Sequence, residues 1–272
     1  MVCRSKERAD TARQAIIAER SASSQPDNLR VLVGDVSLRR DVERVVAELG
    51  AQERSIDCLV CNAGAMLDKR VLTADGVETT FACHFLFGTY WLATQCLPLL
   101  ARGTDPRVVV VASGGMYTAK LPVWGDVLTG GSGKFDGQAA YANAKRVQVA
   151  FCERWAKQQP AVKVLCCHPG WTHTPGVDKA YGSFAQWLLE PLRSEWEGTE
   201  GIAWLCGAPA DQLKSGEFYL DGKVEPKHLH KSTVASPADE DAFFAAMDSF
   251  VASLGKAPAG IAPQLDAALV RP

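Results

Sequence analysis

Hydrophobic and polar positions along the chain alternate between short apolar runs and longer stretches of helical period. Val2–Cys3 reads as the end of a strand, and Lys6–Arg20 as a helix with Ala9, Ala12, Ile16 and Ile17 on one side. A strand over Leu29–Gly34, a helix over Leu38–Glu53 and a strand over Ile56–Cys61 follow. Gly76–Ala101 predicts a long helix, with Asp75 and Glu78 as acidic cap and capping-box partner. Arg107–Ala112 is almost all valine, which suits a strand covered on both faces. Ala139–Gln158 reads as a helix, Val162–His168 as a strand, Thr199–Cys206 as a helix and Glu217–Leu220 as a last strand. Pro237–Leu254 is an amphipathic helix with Phe243, Phe244, Met247 and Phe250 on its apolar side. This alternation predicts an α/β fold, a doubly wound parallel sheet with helices on both faces. Ligands of such sheets bind at the carboxyl ends of the strands, so the residues just after each strand carry the most information.

Composition excludes several classes. The 272 residues are 47% hydrophobic and 22% charged, which suits a folded domain rather than a disordered chain. A formal net charge of −2 and the absence of any basic block argue against nucleic acid as a partner. The N-terminus, Met1-Val-Cys-Arg-Ser-Lys-Glu-Arg8, has no apolar signal core, and no run is long enough to span a bilayer. A cytoplasmic protein is expected, with one domain over residues 1–254 and a disordered Pro-, Gly- and Ala-rich tail over 255–272. Nine cysteines suggest metal or disulfide chemistry, but the count is odd and the spacing uncooperative. Cys58 and Cys61 lie three apart in a strand, so they point to opposite faces, and adjacent Cys166 and Cys167 diverge likewise. Buried, reduced thiols and no metal site are therefore expected.

The chemistry lies after the strands. Asp35-Val36-Ser37 follows the second strand, Asn62-Ala63-Gly64 the third, Ser113-Gly114-Gly115 the fourth and Pro169-Gly170-Trp171-Thr172 the fifth. Tyr141-Ala-Asn-Ala-Lys145 opens the helix between the fourth and fifth. Five tyrosines and thirteen lysines make roughly 0.24 chance pairs at a separation of four. Two occur. Tyr219/Lys223 brackets the turn dipeptide Asp221-Gly222, where the side chains have no reason to converge. Tyr141/Lys145 sits on a helix, where that spacing puts both side chains on one face. That pair can carry acid/base chemistry. A phenol with pKa ≈ 10 is a poor base at neutrality, and bringing it near 7 takes about 4 kcal/mol, which a neighbouring ammonium can supply.

This set resembles the short-chain dehydrogenase/reductase family. The likeness extends from Cys3 to about Phe244 through Val110–Met116, Tyr141–Arg146, His168-Pro-Gly-Trp171, Leu192-Arg-Ser-Glu195 and Ser215-Gly-Glu-Phe218. It implies a Rossmann-like sheet and an NADP(H)-dependent oxidoreductase acting on a small carbonyl or alcohol, lipophilic in character, with NAD as the alternative cofactor. Tyr141 would be the acid/base, Lys145 its pKa modifier and a ribose ligand, and Ser113 the residue that orients the substrate oxygen. Asn62, Ala63 and Gly64 would line the cofactor pocket. Asp35 would meet the adenine amine and Arg4 a 2′-phosphate. Pro169, Gly170 and Thr172 would receive the carboxamide. Asp35 with Ser37 can equally cap the following helix, and Arg4 can be a solvated charge. Ser183–Gly198, with Trp187, Leu188, Leu192 and Trp196, corresponds to the substrate-side region, and a homo-oligomer is compatible with the family.

Two departures stand out. Family members often carry an asparagine after Phe-Ala-x in the long helix, where it steadies a water in a proton relay. Here the position holds His84, with one extra residue before Gly88; an imidazole there can relay a proton or simply pack. The family also opens with a strand, a glycine-rich turn and a helix, and nothing in this sequence matches them. Gly130-Gly-Ser-Gly133-Lys134 follows no strand and belongs to a substrate-side loop. A first strand and helix absent from the middle of the sheet would leave the two leading strands separated from the rest. The expectation is a truncated form, active through Ser113, Tyr141 and Lys145, or alternatively a non-catalytic relative with impaired cofactor binding.

Overall fold

The computed structural model describes residues 1–20, 28–174, 177 and 192–254. β1 (Val2–Cys3) leads into α1 (Lys6–Arg20), β2 (Leu32–Val33) into α2 (Arg39–Gln52), and β3 (Cys58–Cys61) into α3. α3 is one continuous helix in three parts: a turn over Thr79–Phe81, a π-helical stretch over Ala82–Trp91, and α geometry over Leu92–Leu100. β4 (Arg107–Val111), α4 (Trp124–Thr129), α5 (Gly137–Gln158) and β5 (Lys163–Cys167) follow. α6 (Glu195–Gly207), the hairpin of β6 (Phe218–Leu220) and β7 (Lys223–Glu225), and α7 (Pro237–Leu254) come next, with short 3-10 turns at Gly114–Thr118, Ala210–Gln212 and Lys231–Thr233.

β3, β4, β5 and β6 run parallel in that order, and β7 returns antiparallel at the edge. β1 and β2 form a separate parallel pair, and no ladder joins it to the larger sheet among the described residues. The two leading strands are thus laddered only to each other among the described residues. The larger sheet is covered on both faces, which explains the valine run of β4. Val108 and Val110 pack with Cys61, Cys166 and Phe218 against α3, α5 and α7. Val109 and Val111 pack with Leu165, Cys167 and Tyr219 against Leu205 and Ala208 of the α6 region. Each such buried valine contributes about 1.5–3 kcal/mol. Cys58 belongs to the second layer and Cys61 to the first, so the pair diverges across the sheet as strand alternation requires.

Several boundaries differ from the sequence expectation, each for a local reason. The strand expected from Leu29 reduces to Leu32–Val33 because its ladder partner, β1, is equally short. β3 starts at Cys58 because the Ile56 amide is drawn off the ladder to the Leu99 carbonyl at 3.1 Å. The long helix begins at Thr79, not Gly76, whose φ of +75° is left-handed. Its cap is Glu78, which accepts from the amides of Thr80 and Phe81 at 2.9 Å, while Asp75 pairs with Arg39 instead. The N-cap of α2 is Leu38 rather than Asp35 or Ser37; Asp35 accepts from the Ser37 amide and hydroxyl in a turn just before it. α5 starts two residues early because Asp136 caps the amides of Gln138 and Ala139. A Ser194/Glu197 capping box extends α6 back to Glu195. α4, inside the stretch before Tyr141, and β7 have no counterpart in the sequence reading. Trp124 of α4 packs its ring on Phe81, Phe243 and Phe250. The tail over 255–272, with Trp187 and Leu188 of the substrate-side region, lies outside the described residues.

The π-helical stretch coincides with the extra residue before Gly88. A π turn bonds i to i+5 and so absorbs one additional residue into a helix without breaking it. The wider turn leaves no room at Gly88, where a Cβ would lie 1.8 Å from the Cys83 carbonyl oxygen. Among the described residues, no helix is long and apolar enough to cross a membrane.

Candidate active site

The turns after β3, β4 and β5 open at one edge of the large sheet, and α5 delivers two further side chains to it. Ser113 follows β4 in extended conformation, and its hydroxyl accepts from the Gly115 amide at 3.2 Å. A Cβ at Gly115 would sit 3.6 Å from the Ser113 Oγ and 3.6 Å from Tyr141 Cε1, so the hydroxyl and the phenol ring border the same small space. Tyr141 lies on the first turns of α5, half-buried. Lys145 follows one turn later, 3% exposed. Its ammonium donates to the Val111 carbonyl at 2.7 Å and lies 5.5 Å from the Tyr141 ring centroid. Ser113, Tyr141 and Lys145 are therefore brought together, whereas Tyr219 and Lys223 sit on two strands of a hairpin, with the Tyr219 hydroxyl accepting from the Lys214 amide.

Burial lowers the Lys145 pKa from 10.5 to about 8, with neighbouring cysteines opposing the shift weakly. Near pH 7 the fold therefore carries a buried ammonium. A fall from 10.5 to about 8 corresponds to a cost of about 3 kcal/mol. Between about pH 8 and 10.5 the unfolded chain binds this proton more than the folded one, so stability rises with pH across that window. Lys145→Met is expected to melt higher than the parent at pH 7, even after losing a hydrogen bond worth about 1 kcal/mol. The margin should shrink by pH 10. Thermal melts at both pH values check this, and a margin independent of pH would reject the buried ammonium.

The remaining expected residues form three groups. Asn62, Ala63 and Gly64 are exposed at the end of β3. Gly64 makes space for His84, whose Cε1 would be 2.2 Å from a Cβ there. Pro169, Gly170 and Thr172 form the turn after β5, held from outside by Arg193. The Arg193 guanidinium makes a bidentate pair with Asp221 at 2.6 and 2.7 Å and bonds the Pro169 carbonyl at 3.3 Å. Gly170, at φ +76°, leaves the space Arg193 fills: a Cβ would lie 2.7 Å from its Cζ. Thr172 is buried, donates to the Pro169 carbonyl and packs on Gly198. Arg4 and Asp35 sit together after β1 and β2, 3.9 Å apart. The Cys83 thiol, pushed up to about 11 mainly by burial, feels the charges of Asp35, Arg4 and Lys145.

Arg146, Arg193 and the surroundings of His84 were not read as parts of the site. Arg146 is 2% exposed and binds the carbonyls of Met116, Ala119 and Lys227 at 2.7–3.1 Å. It thus clamps the turn that follows Ser113 onto α5. Its sequence signal is a second charge directly after Lys145, before the buried apolar positions Val147, Val149 and Phe151. His84 is 3% exposed and stands edge-on to the Tyr141 ring, 5.1 Å between centroids at 86°. A cleft of about 550 Å³ lies beside the site, between Met66–Asp68 and Lys134–Gln138 at the start of α5. Gly137 brings these walls together, since a Cβ there would meet the Leu67 carbonyl oxygen at 2.0 Å.

Comparison with known proteins identifies the family and the fold. The short chain dehydrogenase family description matches residues 1–125. Bos taurus dehydrogenase/reductase SDR family member 12 is 41% identical over 243 residues, covering 89% of this chain and 74% of that protein. Human retinol dehydrogenase 14 is 26% identical over 257 residues, covering 85% and 74%. The crystal structure of NADPH-bound carbonyl reductase from chicken fatty liver superposes with a TM-score of 0.58 at 17% identity, covering 82% of this chain and 85% of that one. A strand-end Ser-Tyr-Lys grouping on a parallel α/β sheet and extended identity to such a relative lead to one assignment: the chain belongs to the short-chain dehydrogenase/reductase family of oxidoreductases.

Proposed function

We propose that the chain interconverts a carbonyl compound and its alcohol with NADP(H), through Tyr141, Lys145 and Ser113. The observation that carries this reading is the Lys145 ammonium, buried and 5.5 Å from the Tyr141 ring, with the Ser113 hydroxyl across Gly115. An ammonium beside a phenol favours the phenolate, so Tyr141 can take a proton from an alcohol or return one to a carbonyl oxygen near neutrality. Ser113 donates to that oxygen and holds it toward the tyrosine. Bound at these strand ends, a nicotinamide dinucleotide supplies the hydride in reduction and accepts it in oxidation.

The residues present fit such a group at its two ends. Lys145 spends one of its three N–H donors on Val111 and has others suited to ribose hydroxyls. The exposed Asn62-Ala63-Gly64 turn and the Pro169-Gly170-Thr172 turn would flank the nicotinamide. Asp35 would meet adenine, and the largely exposed Arg4 guanidinium a 2′-phosphate, which favours NADP over NAD. The β1–α1 turn, Arg4-Ser5, contains no glycine to cradle a pyrophosphate. A lipophilic substrate is in keeping with the retinol dehydrogenase relative.

Fluorescence titration of the full chain with NADPH and NADH tests the proposal. Low-micromolar NADPH binding is expected, with a preference over NADH that Arg4→Ala removes. The separation of β1–β2 from the larger sheet favours a second reading, a family member with weakened cofactor binding and no turnover. Absence of NADPH binding would select that reading and reject the first.

A further inference from the structure

His84 is fastened at both ends. Its carbonyl accepts from the Thr89 hydroxyl at 2.6 Å and from the Gln148 side-chain amide of α5 at 2.7 Å. At the other end, Nε2 lies 2.9 Å from the Ala65 carbonyl oxygen and 3.1 Å from the Ala65 amide nitrogen. The ring fills the space left by Gly64 and meets the Tyr141 ring edge-on. Nδ1 is buried without a hydrogen-bond partner among the described residues.

We propose that His84 is a positioning residue for Tyr141: its imidazole fixes the tyrosine ring from the edge and ties it to the Asn62–Ala65 turn. The inference rests on the reading of Tyr141 as the acid/base. It also chooses between the two roles open to an imidazole here. A relay must pass a proton from one ring nitrogen to the other and onward. Among the described residues, Nε2 meets only the Ala65 amide and the Ala65 carbonyl, neither of which titrates near neutrality to carry a proton onward. Burial, and then the Lys145 ammonium, hold the ring well below its ordinary pKa and keep it neutral. Neutral Nε2 can donate to the Ala65 carbonyl or accept from its amide, but not both. A glutamine amide at the same reach can do both.

The test uses the full chain with His84→Phe, which keeps a ring and removes both nitrogens, and His84→Gln. Tyrosine ¹³Cζ resonances, with Tyr141 assigned through its loss in Tyr141→Phe, report the phenol. Amide exchange at Ala65 reports the turn. In His84→Phe the Tyr141 resonance should move, and the Asn62–Ala65 turn, released from the imidazole, should exchange its Ala65 amide about tenfold faster. The kcat for NADPH-dependent carbonyl reduction should fall about 10- to 100-fold with KM for NADPH unchanged. His84→Gln should restore Ala65 protection and most of kcat. Wild-type Tyr141 and Ala65 signals in His84→Phe would overturn the proposal, as would a kcat loss that glutamine fails to rescue. If His84→Phe does not fold, the parent decides. An imidazole with one bonded and one bare nitrogen, unchanged by ¹⁵N shift from pH 5 to 8, supports the proposal, and one that titrates there overturns it. A parent with the expected NMR effects but no turnover counts against the function proposed above and for the His84 contact.

Discussion

Tyr141→Phe is expected to lower kcat for carbonyl reduction by about 10²–10⁴-fold, the range that a positioned proton donor contributes. The substitution keeps the ring, and with it the edge-on contact to His84 and the Gly115 neighbourhood, so the fold should be unaffected. What disappears is the O–H that hands its proton to the reacting oxygen. Ser113 cannot replace it, since a hydroxyl without an adjacent ammonium does not ionise near neutrality. NADPH affinity should weaken by no more than one neutral hydrogen bond, about 0.5–1.5 kcal/mol. Tyr219→Phe is the matched control, with the same spacing to a lysine but a hydroxyl spent on the Lys214 amide. It should lose about 1 kcal/mol of stability and no kcat. Steady-state kinetics on both variants decide the point. Turnover retained in Tyr141→Phe would remove the assigned mechanism.

Gly88→Ala should have the largest effect on stability. A Cβ there would lie 1.8 Å from the Cys83 carbonyl oxygen and 2.9 Å from its carbon, and neither atom can swing away as a side chain can. The helix would have to rewind from π to α geometry and expel a residue, turning the buried face from Ala82 to Thr89. Overpacking of rigid backbone of this kind costs about 3 kcal/mol or more, enough to unfold a marginal domain. Gly50, in α2 with nothing near its missing Cβ, provides the contrast. Gly50→Ala should gain about 0.5–1 kcal/mol from helix propensity. Urea unfolding of the two variants checks both signs, and a Gly88→Ala protein as stable as its parent would show that α3 does not need the π turn.

The parts of the molecule legible in the sequence are those governed by short-range periodicity. The valines of β4 are buried on both faces because two layers cover them, and their run says so directly. Tyr141 and Lys145 could be paired because helical spacing alone brings them together. Ser113 was reachable because it follows a strand whose end was evident. Arg146 and Arg193 were not, since they bind carbonyls tens of residues away, which no local pattern encodes. The π turn was equally hidden. Ala82 to Thr89 is buried all round, so a change in helical repeat leaves no polar stripe to betray it. One spare residue before Gly88 was its only trace. The capping errors share a cause: Asp35, Asp75 and Glu78 all suit a helix start, and long-range partners such as Arg39 decide which of them serves.

The two separate ladders change what a cofactor affinity means for this protein. The segment carrying β1 and β2 meets the rest through side chains, Val36 after β2 against the Gly88 region and Val42 of α2 in the shared core, and among the described residues no ladder joins the two sheets. Two-stranded pairs are marginal by themselves and belong to the parts of a structure that open first. A dinucleotide reaching from Arg4 to Lys145 would act as a brace between the two units. Some of its contact energy would go into holding them in register, and the apparent Kd would rise in inverse proportion to the fraction already docked. Affinity in this chain is then a joint property of ligand and scaffold, so a substitution that only tightens the α2–α3 seam should strengthen binding without touching the ligand.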